Sequence, residues 1–153
     1  MNFVDLVRET CAALTTNTVP IRIDVSDQDI VLAVDPNRIR QALENVLSNA
    51  IKFSPVGAAV AVELDVESAG TGCWAVVTVS DQGPGIPLEL FPRLFDRFAR
   101  GPGSSGLGIG LYLASRIVVA HGGTLTADPN PAIGARFQMK LPLADAPPDE
   151  GDG

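Results

Sequence analysis

The sequence predicts an α+β domain in which helices cover one face of a mixed or antiparallel sheet. Three segments carry apolar residues at helical spacing. The stretches around them alternate or run apolar over strand lengths, mainly one after another. With 153 residues, 46% of them hydrophobic, the chain suits one packed core and is too apolar for general disorder.

Asn2 can cap a first helix over about Phe3 to Leu14, where Phe3, Leu6, Val7, Cys11 and Leu14 share one face. Ile21 to Val25 alternates and Ile30 to Val34 is continuously apolar, so both read as strands around turn material at 26–29. Asp35-Pro36 announces a second helix, with the carboxylate as cap and proline at the first helical position. Ile39, Ala42, Leu43, Val46, Leu47, Ala50 and Phe53 hold its apolar face until Ser54-Pro55 stops it. Residues 58–67 and 73–80 form two strands of a hairpin around Gly70 and Gly72. Glycine and proline then crowd residues 81–106 around a short Phe-rich segment. Leu107 to about Ala120 is a third helix, His121-Gly122-Gly123 turns out of it, and 124–128 and 134–143 are closing strands. Residues 1–143 are expected to form the domain, and the acidic 144–153 a disordered tail.

Eleven basic against 18 acidic residues give a net charge of −7. Four of the acids (Asp145, Asp149, Glu150 and Asp152) lie in the tail, so the globular part is only mildly acidic. No basic stripe exists and Lys52 and Lys140 lie far apart, which argues against nucleic-acid binding. No apolar run approaches the roughly 20 residues of a bilayer span. The first residues lack a signal peptide's pattern, so a cytoplasmic location without direct membrane contact is expected for these residues, with membrane anchoring of a parent protein left open. Cys11 and Cys73 have neither metal-ligand spacing nor a disulfide framework, and both read as buried thiols.

Asn45, Asn49 and Lys52 fall at i, i+4 and i+7, forming a polar stripe beside the second helix's apolar face. An Asn oxygen suits Mg²⁺ and a lysine suits phosphate, but from this helix alone an ordinary solvated flank is the better reading. Asp81-Gln-Gly-Pro-Gly-Ile follows a hydrophobic strand, where Asp81 could accept from an amino group such as adenine N6. A tight turn with an Asx cap is the alternative. The run from Gly101 to Leu111 leads a glycine-dense loop into a helix, a good anion site or else a flexible lid. Gly108 and Gly110 weigh against the lid alone, because glycine costs helix stability there. Phe91, Phe95 and Phe98, interleaved with Arg93, Arg97 and Arg100, form an aromatic hinge with phosphate-reaching arginines, or plain amphipathic packing.

Taken in order, these segments resemble the sensor histidine kinases. Asp35 to Ser54 is similar to their N box, Asp81 to Ile86 to the G1 box, Leu94 to Arg100 to the F box and Gly106 to Leu111 to the G2 box. His121-Gly-Gly-Thr and Gly134-Ala-Arg-Phe also fit. The resemblance implies the GHKL ATPase fold, a two-layer α/β sandwich of about three main helices on a mixed, mostly antiparallel sheet. It implies ATP and Mg²⁺ as ligands, with Asn49 on the metal and Asn45 supporting it. Lys52 and Arg100 would meet the triphosphate, and Asp81 the adenine amino group. Gly83, Gly85 and Ile86 would shape the adenine pocket and Phe53 would pack on the base. Gly106, Leu107, Gly108, Gly110 and Leu111 would wrap the phosphates. The implied reaction transfers the γ-phosphoryl group to a histidine, mainly by positioning and charge neutralisation.

That resemblance also implies partners: a histidine-bearing dimerisation domain of the same kinase and a response regulator downstream. His121 is the single histidine and belongs to no acceptor motif. The chain is therefore expected to be an excised catalytic piece, monomeric and unable to phosphorylate itself. Only Gly101 to Ser105 separate the F and G2 boxes, a short lid, and Ala135 stands where many relatives carry Ser or Thr. An anti-sigma serine kinase is the alternative enzyme, but such relatives usually place a glutamate base where Asn45 stands, and Glu44 points about 100° away on the helix. A non-catalytic nucleotide sensor and a structural docking module complete the alternatives.

Overall fold

The computed structural model describes residues 2–25, 29–69, 72–86, 94–96, 110–128 and 134–143. Its elements are α1 (Phe3–Leu14), β1 (Ile21–Val25), α2 (Pro36–Phe53), β2 (Val60–Ala69), β3 (Gly72–Ser80), α3 (Gly110–Ala120), β4 (Thr124–Ala127) and β5 (Arg136–Pro142). The acidic tail lies outside the described residues.

Both long helices start where their caps dictate. The Asn2 side chain accepts from Val4 N at 3.0 Å. Asp35 Oδ1 accepts from Asn37 N and Arg38 N at 3.0 and 3.3 Å, with Pro36 at the first helical position. At the far end, Ser54 N donates to Ala50 O and Ser54 Oγ returns a second bond to the same carbonyl, before Pro55 ends the helix.

The five strands form one sheet in the order β1-β2-β3-β5-β4. β1 and β2 run parallel, Ile21 opposite Val60. A parallel pair needs a crossover, and α2 supplies it. β2–β3, β3–β5 and β5–β4 are antiparallel. This is the predicted helix-covered sheet, mixed and mostly antiparallel.

Alternation along the strands fixes which face is covered. Val60, Val62 and Leu64 of β2, Ala75, Val77 and Val79 of β3, and Phe137, Met139 and Leu141 of β5 are buried. Phe3, Val7 and Cys11 of α1, Ile39, Leu43 and Leu47 of α2, and Ala114 and Val118 of α3 complete the core. Each large aliphatic group buried this way contributes about 1.5–3 kcal/mol. Glu63, Glu67, Thr78, Gln138 and Lys140 line the opposite face, where Lys140 Nζ lies 2.9 Å from Glu67 Oε1.

Two expectations are corrected. Residues 30–34 are not a strand: Val31 makes one bridge with Asn2, and Phe3 N donates to Ile30 O at 2.8 Å. Ile30 and Leu32 are buried while Val31 is 50% exposed, so the segment has strand-like alternation without a ladder partner. The second correction concerns the thiols. Cys11 is buried as expected, but Cys73 is exposed. It lies opposite Ser68, one pair from the hairpin turn.

Burial pushes the Cys11 thiol up to about 11, which keeps it protonated and unreactive at neutral pH. Titration with a thiol reagent at neutral pH should therefore modify Cys73 in the folded protein and Cys11 only after denaturant is added. Rapid modification of both in the native protein would contradict this packing.

Candidate functional site

The site grows from the end of β3, where Asp81 leaves the sheet. Asp81 is 4% exposed, and a buried carboxylate is costly unless hydrogen bonded. Its partners are backbone amides: Oδ1 accepts from Gly83 N at 2.9 Å and Ala135 N at 3.0 Å. Asp81 N donates to Ala135 O at 2.9 Å. No described residue donates to Oδ2, which leaves that oxygen as an acceptor for something else.

Two glycines make this arrangement possible. Gly134 has φ +65°, and a Cβ on it would collide with the carbonyl and carboxylate of Asp81. Gly83 lies against the backbone carbonyl of Phe53, where a Cβ would also collide. Gly85 faces the Gly134 carbonyl, Ile86 packs on the core, and Gln82 Nε2 donates to Ala59 O at 3.1 Å. The sequence-predicted Phe53, Asp81, Gly83, Gly85 and Ile86 thus meet at one place.

From Phe53, α2 runs back through Lys52 and Asn49 to Asn45. Asn45 and Asn49 are half-buried and Lys52 is exposed. The start of α3 faces Asn45, since a Cβ on Gly110 would stand 3.9 Å from Asn45 Cβ. Leu111, one residue on, packs against the core. Eight residues of helix separate Asn45 from Phe53, about 12 Å along the axis. Asn45 Nδ2 is buried without a partner among the described residues. An unpaired amide in such a place costs about 1–3 kcal/mol, and a ligand oxygen would relieve it.

Phe95 packs edge-on to Phe137, with ring centroids 6.2 Å apart. Leu94 beside it is buried, so packing accounts for both residues. Arg100, Gly106, Leu107 and Gly108 lie outside the described residues, as do Phe91, Arg93, Arg97 and Phe98.

Sequence reasoning misses Gly134 and the Ala135 backbone as supports of Asp81, although Gly134-Ala-Arg-Phe fits the family pattern and Ala135 stands where many relatives carry Ser or Thr. His121 enters the sequence reading as a turn residue in His121-Gly-Gly-Thr, which also fits the family, without a hydrogen-bonding role. Its Nδ1 lies 2.8 Å from Ile117 O and its Nε2 accepts from Asp35 N at 3.3 Å. The proton therefore sits on Nδ1, and the ring ties the last turn of α3 to the cap of α2.

Residues 34–145 match the family described as histidine kinase-, DNA gyrase B-, and HSP90-like ATPases. The chain belongs to this ATPase family. Sensor histidine kinase WalK of Bacillus subtilis is 34% identical over 134 residues, covering 84% of this chain and 22% of that protein. Signal transduction histidine-protein kinase AfsQ2 of Streptomyces coelicolor is 38% identical over 134 residues, covering 84% of this chain and 24% of that protein. The chain thus spans about a quarter or less of the length of these curated relatives. Among solved structures, the mycobacterial sensor histidine kinase MprB superposes with a TM-score of 0.79 at 29% identity, covering 94% of this chain and 95% of that one. Full-length ShkA in complex with AMPPNP gives 0.79 at 28% identity, covering 95% of this chain and 31% of that one. Every residue of the candidate site described above falls inside the matched stretch.

Gly134→Ala should therefore disturb the Asp81 arrangement of this candidate site. It is expected to abolish measurable nucleotide binding in calorimetry while far-UV circular dichroism stays near that of the parent. Unchanged binding would mean that Asp81 does not need the close approach of Gly134.

Proposed function

We propose that residues 1–143 are the ATP- and Mg²⁺-binding catalytic domain of a two-component sensor histidine kinase, passing the γ-phosphoryl group to a histidine on a separate dimerisation domain. The observation that carries this is Asp81: one carboxylate oxygen accepts from two backbone amides, the other has no donor among the described residues, and Gly83 and Gly134 pack closely around it. An acceptor fixed there matches the amino group of adenine, which Phe53 would cover.

The donor set along α2 fits a metal–phosphate complex. The oxygen of Asn49 is a hard ligand suited to Mg²⁺, and the unpartnered Nδ2 of Asn45 can donate to a phosphate oxygen or a metal-bound water. Bound there, Mg²⁺ would neutralise charge on the phosphates during transfer. Lys52 and Arg100 would hold the triphosphate, with Gly106, Leu107, Gly108, Gly110 and Leu111 around it.

The acceptor must come from elsewhere. His121 is the single histidine of the chain, and both its ring nitrogens are engaged. A neutral imidazole attacks with its own lone pair, so no side chain need act as general base, which agrees with Asn45 standing where serine-phosphorylating relatives carry glutamate. A dimerisation domain bearing the histidine and a downstream response regulator are the partners this reaction needs. No helix among the described residues is long and apolar enough to cross a membrane.

Asp81→Asn should weaken ATP binding by about ten- to a hundredfold, the cost of one hydrogen bond to a charged group. Mixed with ATP, Mg²⁺ and the histidine-bearing domain, the chain should yield an acid-labile phosphoprotein, and Asn49→Ala should stop that transfer. An acid-stable phosphoserine product would favour the serine-kinase alternative.

A further inference from the structure

Consecutive helical side chains point about 100° apart, so Lys52 and Phe53 are not neighbours by helix geometry alone. Yet Lys52 Nζ lies over the Phe53 ring, 5.5 Å from its centroid. Lys52 makes no ion pair among the described residues. The ring is 38% exposed, lies outside the core cluster and pairs with no other described aromatic residue. The Phe53 carbonyl is closed against Gly83. An exposed aromatic residue therefore stands at the edge of the Asp81 recess, carrying a cation.

We propose, resting on the nucleotide-site reading above, that this ring is one seat used in turn by two occupants. It holds the Lys52 ammonium in the empty site, and an incoming purine base takes the same face and releases the cation towards the phosphates. The ring's negative face suits an ammonium, and its flat apolar surface suits a base. Both cannot use it together. Phe53 then acts as a positioning residue for Lys52, and filling the base pocket becomes the event that frees the phosphate-binding charge.

The consequence separates nucleoside from nucleotide. Adenosine must evict the ammonium and offers it nothing in return. ATP evicts it and supplies phosphates. Lys52 should therefore oppose adenosine while it supports ATP, an inversion that a simple phosphate-binding lysine would not produce.

Calorimetry with adenosine and with ATP tests this on the parent chain, Lys52→Met, Phe53→Leu and the double variant. These side chains are exposed, so the variants are expected to fold. Lys52→Met should tighten adenosine about two- to fivefold, the strength of an exposed cation–π contact, and should weaken ATP. On the Phe53→Leu background, Lys52→Met should leave adenosine binding unchanged. An adenosine affinity that is unaffected or reduced by Lys52→Met, or raised equally without the ring, overturns the shared seat. Asp81→Asn belongs in the same series. If it weakens ATP while adenosine ignores Lys52, the shared seat alone falls. If it leaves ATP unaffected, the base pocket falls and the shared seat falls with it.

Discussion

Asp81 is hydrogen bonded through both its amide and its carboxylate to Ala135, the residue that leads into β5, and most of the candidate site is arranged by that pairing. It closes the ends of β3 and β5 against each other, draws Gly134 into contact with the carboxylate and turns the chain so that Gly83 meets the end of α2. The chemistry follows from which atoms are used up. A buried carboxylate with no partner would be expelled or neutralised, while one with both oxygens paired would have nothing to offer a ligand. Here the two amides stabilise one oxygen, and the other has no donor among the described residues.

The second constraint is the stiffness of α2. An 18-residue helix capped at both ends and buried along one face cannot shift one turn without dragging the others. It therefore sets the distance between the recess at Phe53 and the polar cluster at Asn45. His121 and Gly110 hold α3 beside it at opposite ends, the first by the hydrogen bond its Nε2 accepts from Asp35 N at the α2 cap and the second by packing against Asn45. Both help to fix where a ligand could lie.

Much of this was legible in the sequence because it rests on local rules. The caps at Asn2 and Asp35, the apolar period from Ile39 to Ala50 and the apolar run from Ala75 to Val79 depend on neighbours a few residues away. Asp81, Gly83 and Gly85 were legible as a group because a carboxylate at a strand end beside glycines is a local pattern too. What failed was non-local. Ile30 to Val34 has the composition of a strand, but a strand needs a partner edge, and only Asn2 offers one bridge. Cys73 shares the apolar company of its strand, yet its place near the hairpin turn leaves it exposed. The support of Asp81 by residues 54 positions later depends on strand register, and the lean of Lys52 onto Phe53 depends on a rotamer. Neither leaves a mark in periodicity. The match to the ATPase family covers α2 to β5 and leaves α1 and β1 ahead of it, although those two elements complete the same core.

The parallel pairing of β1 with β2 bears on how the molecule is made. Ile21 must find Val60 across a long loop that contains all of α2, and closing such a loop is paid in chain entropy before any contact rewards it. The hairpin of β2 and β3 can form from neighbouring residues, whereas β1 can join β2 only after the loop that carries α2 has closed. The segment bearing Asn45, Asn49 and Lys52 is therefore tied to the sheet at both of its ends only once that pairing is made. Loosening the β1 edge would cost more than one strand: it would leave that segment tethered to the sheet from one side alone, even with every residue of the site intact.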